Sequence, residues 1–114
     1  MYTHKVRRFW WDRRNVDHLA RHRVRPEEAE QAYNDPLAVP VAAYPGPDGW
    51  PREAQVGVTQ GGRLLVVVWE TRPDAGEPGG AGPDAEDWAV VVTAYDPAPQ
   101  QRRRYGQRSG GPRR

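Results

Sequence analysis

Trp11–Glu30, WDRRNVDHLARHRVRPEEAE, decides how the rest of the chain is read. Asp12 is a good N-cap, and Val16, Leu19 and Ala20 follow at helical spacing, which predicts a first helix over about residues 13–22. Arg23 interrupts it, and Val24 is expected to plug the core at the turn. Pro26 then stands where proline suits a first helical turn, with Glu27 and Glu28 near the positive end of the dipole. Ala29, Ala32 and Tyr33 give this second helix its buried stripe. Asn34-Asp35-Pro36 ends it, since the residue before proline is driven out of the helical region.

Outward from this helix pair the period changes to two. Residues 5–11, KVRRFWW, read as a first strand or an extended entry segment. Residues 37–53 are rich in proline, with room for one short edge strand at 38–43. Gln55–Thr59 alternates, Gln60-Gly61-Gly62 makes a hairpin turn, and Arg63–Thr71 returns as RLLVVVWET. Its unbroken apolar run predicts a central strand buried on both faces. Trp88–Ala94, WAVVVTA, is the next central strand, and Asp96-Pro97 opens a last short helix carrying Arg102, Arg103, Arg104 and Tyr105, closed by Gly106. Two helices, an antiparallel sheet of three or four strands and a terminal helix make an α+β domain.

The 114 residues suit one domain, placed at residues 1–106, with 107–114 as a basic disordered tail. Gly and Pro together number 24, and residues 73–86, PDAGEPGGAGPDAE, form a flexible acidic loop unable to build a core. No cysteine is present, so disulfides and Cys-ligated metals are excluded. No apolar stretch approaches a membrane span and no signal-peptide h-region opens the chain, so no membrane is expected and the cytoplasm is the default location.

Net charge is +2, but the run 73–87 holds five acids and no base, which leaves +7 on the remainder. A basic body of this kind attracts polyanions, RNA or DNA first among them; an arginine-biased proteome gives the same composition with no partner implied. His18 and His22 lie four apart and share a helix face. They could help hold a metal with His4 or a carboxylate as third ligand, cap the helix end, or bind phosphate and exchange protons. The Glu that would follow the first histidine in a zinc-protease signature is missing. Arg52, Arg63 and Arg72 flank or begin strands, where a sheet holds them rigidly. Cutting RNA without a metal needs a base at the 2′-hydroxyl, a cation on the phosphorane and an acid at the leaving oxygen. The planar arginine fork suits the second task, and Tyr or His the other two. Trp11, Trp69 and Trp88 read as core, whereas Trp10 and Trp50 are candidates for stacking on bases.

Taken in order, WDxxNxxHLARHxVxPEEAE, Asp35-Pro36, Gly57–Glu70 and VVTAYDPAPQQRRRYGQ (Val91–Gln107) resemble the BrnT family of type II toxins, part of the RelE-like superfamily. The resemblance covers about residues 9–108, with the acidic loop outside it. It implies a RelE-like fold: two N-terminal helices packed on a three- to four-stranded antiparallel sheet, with a short C-terminal helix. It also implies a ribonuclease needing neither metal nor other cofactor, held by a ribbon-helix-helix antitoxin with which it represses its own operon. By motif match His22, Arg52, Arg63 and Tyr105 would be catalytic and Arg103 and Arg104 would hold RNA phosphates; Arg72 and His18, chosen by residue type and position, join the phosphate-binding set. Two positions depart from the family pattern. Arg23 stands where a glycine is usual, and Thr93-Ala94-Tyr95 replaces a triplet that ends in arginine. Tyr95 can donate one hydrogen bond but no charge, and losing a preorganised donor commonly costs a factor of about 10² to 10³ in rate. Two other readings stay open: a catalytically impaired module of this fold that keeps antitoxin or RNA binding, and an unrelated basic nucleic-acid-binding domain.

Overall fold

Leu65, Val66 and Val67 have no solvent exposure, so the strand that carries them is covered on both faces. The computed structural model describes residues 8–47, 49, 51–73 and 87–109. Along the chain run β1 (Arg8–Trp10), α1 (Arg13–Ala20), α2 (Pro26–Tyr33), β2 (Val39–Val41), β3 (Glu53–Val58), β4 (Leu64–Pro73), β5 (Asp87–Tyr95) and α3 (Pro99–Ser109). The domain is α+β, as the sequence predicts. Trp50, His4, the acidic stretch 74–86 and residues 110–114 lie outside the described residues.

The sheet corrects the expected count and direction. It has five strands in the order β1-β5-β4-β3-β2, and β1 runs parallel to β5 while the other pairs are antiparallel. A three-residue strand shows too little alternation for periodicity to reveal its partner or its direction. Between Val68 and Trp69 the β4–β5 register slips: Val68 faces Thr93 and Trp69 faces Val91, which leaves Val92 as a bulge. The extra residue lets both Val91 and Ala94 reach the same core.

On one face α1 and α2 bury Leu19, Val24, Ala29, Ala32 and Tyr33 against Leu65, Val67, Trp69, Ala89, Val91 and Ala94. Tyr33 meets Trp69 edge-on at 4.8 Å and Phe9 at 5.0 Å. The approach of α2 to β3 is close enough that a Cβ on Gly57 would come within 2.0 Å of the Ala32 carbonyl oxygen. Glycine is therefore required there. On the other face, α3 covers Ala54, Val56 and Val66 near β2 and β3, with Tyr95 and Tyr105 at the margin.

Local chemistry sets the ends of the helices. Asp12 and Asn15 exchange side-chain-to-backbone hydrogen bonds at the start of α1. Helix α1 stops at Ala20, two residues short of the expected end. The Val24 amide bonds to the Leu19 carbonyl and the Arg23 amide to the Ala20 carbonyl, the pairing of a Schellman turn with Val24 folded back over Leu19. Such a turn needs a left-handed residue, and Arg23 takes it with φ 59°. At the other end of the chain, α3 does not close at Gly106 but continues to Ser109. Gly106 keeps a helical φ rather than the left-handed one of a cap, and a glycine inside a helix costs only about 1 kcal/mol. The first three residues assigned to the tail are therefore helical.

Candidate nucleic-acid interface

Glu70 and Arg72 are two apart on β4, so they project from the same face of the sheet, the one α3 only partly covers. Glu70 is buried and receives two arginines. Arg52, just ahead of β3, donates from Nε to Oε2 at 3.0 Å; Arg72 donates to Oε1 from Nε at 3.0 Å and from an Nη at 2.6 Å. Both guanidinium groups are partly exposed, with side-chain exposures of 23% and 30%. Burying one carboxylate between two cations satisfies its charge, leaves the cluster at +1 and fixes both forks in place. Sequence reading missed Glu70; the signal was a lone carboxylate ending an apolar strand, two residues before an arginine.

Arg63 stands at the opposite end of β4, about 30 Å from Arg72 at roughly 3.3 Å per residue. Its guanidinium makes five hydrogen bonds: two to Asp96 Oδ1, one each to the carbonyls of Arg23 and His22, and one to Glu28 Oε1. A guanidinium has five N–H groups, so each has a protein acceptor. Arg63 thereby ties the Schellman turn to the β3–β4 hairpin and to the end of β5. The His22 ring is exposed, 6.1 Å from the Tyr95 ring and 6.3 Å from that of His18. His18 and His22 thus share a face as the spacing predicts. Among the described residues no three His, Cys, Asp or Glu side chains gather into a metal-holding group.

Tyr105 lies elsewhere again. Its hydroxyl donates to Asp35 Oδ2 at 2.7 Å. Arg104 donates to the Pro40 carbonyl at 3.2 Å, and the Arg103 side chain is exposed on α3. The structure therefore brings Arg52 to Arg72, and Arg63 to His22 and His18, but it does not bring His22, Arg52, Arg63 and Tyr105 to one point. Of the tryptophans, Trp69 is buried, and Trp11, Trp88 and Trp10 are half-buried, the last two meeting edge-on at 5.8 Å. Trp10 is thus spent on a neighbouring ring as well.

No protein-family model matches the chain, and no curated protein matches it. No helix among the described residues is long and apolar enough to cross a membrane.

Proposed function

We propose that this chain is a toxin of the BrnT type, a RelE-like ribonuclease that binds RNA across the open face of its sheet and is restrained by a ribbon-helix-helix antitoxin. The observation that carries the reading is the pair of partly exposed guanidinium groups, Arg52 and Arg72, anchored on buried Glu70. Two fixed forks on a basic body are a phosphate site by chemistry. The left-handed Arg23 adds support, since it occupies the position where the family pattern has glycine. In cleavage the 2′-hydroxyl gives its proton to water as its oxygen attacks phosphorus, the P–O5′ bond breaks, and the departing 5′-oxygen takes a proton from water, which leaves a 2′,3′-cyclic phosphate and a 5′-hydroxyl. Arg52 and Arg72 would neutralise the phosphorane. His22, Arg103 and Arg104 would contact the strand at other points of the same body.

A second reading, a non-cutting member that keeps RNA or antitoxin binding, is favoured by two specific facts. Every N–H of Arg63 already has a protein acceptor, and Tyr95 stands where the family pattern has arginine. End-labelled single-stranded RNA incubated in EDTA with the wild type and with Tyr95→Arg separates the two. Cyclic-phosphate ends from the wild type support the nuclease. Cutting by Tyr95→Arg alone supports the second reading. RNA that neither protein binds nor cuts refutes both.

A further inference from the structure

The row of rings at the end of β5 has no place in the phosphate chemistry above. His18, His22 and Tyr95 follow one another at centroid separations of 6.3 and 6.1 Å, with interplanar angles of 25° and 54°. Core packing does not account for His22. Leu19 and Val24 fill the core at this turn, and the His22 side chain is exposed. Its backbone, however, is fixed: the amide donates to the Leu19 carbonyl, and its carbonyl accepts from Arg63. Beside it the charge of Arg63 is met by Asp96 and Glu28, so this end of the sheet offers ring faces rather than a free anion-binding fork. Arg21 and Arg23, both exposed, flank His22 in the chain and supply positive charge at the rim.

We infer that His22 and Tyr95 form a stacking subsite for one nucleobase of a single-stranded RNA, an inference that rests on the RNA-binding reading above. Seating a base between the two rings requires their centroids to part from 6.1 Å to about 7 Å, two contact spacings of roughly 3.5 Å. Their planes meet at 54°, so the His22 ring must also turn toward parallel with Tyr95, a movement its exposed side chain is free to make. Tyr95 pairs with Val66 on β4, four residues before Glu70, which puts the rings about 13 Å along the strand from the arginine pair. One short RNA strand can cover both. Tyr95 offers the strand a π-face, and base stacking of this kind tolerates any base.

The test measures binding of two probes of equal length, an oligoribonucleotide and the same sugar–phosphate chain without bases. His22→Ala removes an exposed ring; Tyr95→Leu removes a ring while keeping apolar volume for the core; Tyr95→Phe keeps the ring. His22→Ala and Tyr95→Leu should each weaken the base-bearing probe about tenfold and leave the abasic probe within about twofold, while Tyr95→Phe matches the wild type. Equal losses on both probes, or no loss on either, overturn the subsite while leaving the phosphate face standing. A wild type that binds neither probe refutes the RNA-binding reading and the subsite with it.

Discussion

The Tyr105 hydroxyl donates to Asp35 Oδ2 at 2.7 Å, joining the last helix to the second residue after α2 across a separation of 70 positions. Asp35 is buried, and it also accepts the amides of Leu37 and Val58 at 2.9 Å each. One carboxylate thus fastens α3, the exit from α2 and the end of β3. Asp35→Ala, which leaves two amides and a hydroxyl to find other partners, should cost about 3 kcal/mol in urea unfolding. Tyr105→Phe should cost about 1 kcal/mol and leave RNA affinity within about twofold. A Tyr105→Phe protein of unchanged stability that loses cleavage would instead give this hydroxyl a chemical role.

Arg23 occupies a left-handed conformation that costs a side-chain-bearing residue about 1–2 kcal/mol. Arg23→Gly relieves that strain against a smaller cost from the greater conformational entropy glycine gives the unfolded chain, for a net gain of about 0.5–1 kcal/mol. Arg23→Val should move the melting temperature the other way, because a β-branched residue tolerates this conformation least. Calorimetry on the pair checks both signs.

Arg63 is a fastening: its guanidinium holds the Arg23 and His22 carbonyls to Asp96 and Glu28. Arg63→Lys keeps the charge but cannot reach the Arg23 and His22 carbonyls and the Asp96 carboxylate together. A loss of about 2 kcal/mol is expected, visible as faster amide exchange at Arg23 and Val24. A variant as stable as the wild type would free Arg63 for a role at phosphate.

Gly57→Ala tests how closely α2 lies on β3. A Cβ has no room beside the Ala32 carbonyl, so the helix must shift, at a cost of about 3 kcal/mol or more. An alanine variant that melts with the wild type would contradict the packing of α2 described here.

Much of the fold was legible because its signals are local. The Asp12 cap, the Val24 plug, Pro26 at the first turn of α2 and the two-sided burial of Leu65–Val67 all follow from patterns within a few residues. What was hidden depends on distant partners. The parallel pairing of Arg8–Trp10 with Trp88–Val90 joins segments 80 residues apart and has no local signature. The site was legible only in part for the same reason. Residue type and motif order pointed to Arg52, Arg63, Arg72, His22 and Tyr105, but the acceptors that sort them, Glu70, Asp96 and Asp35, lie 18, 33 and 70 positions from their partners. Asp35 could be read as the end of a helix; its role as a hub could not.

The central claim is that the Arg52–Glu70–Arg72 cluster holds RNA phosphate. Replacing Arg52→Gln, Glu70→Gln and Arg72→Gln together removes the cations without stranding a buried carboxylate. The decisive measurement is the slope of log affinity against log salt for a single-stranded RNA. Each phosphate contact on a single strand contributes about 0.7 to that slope, so the triple variant, which loses the one phosphate the two arginines share, should bind more weakly and with a slope shallower by about 0.7. A triple variant that folds and binds RNA with the wild-type affinity and slope would contradict the account.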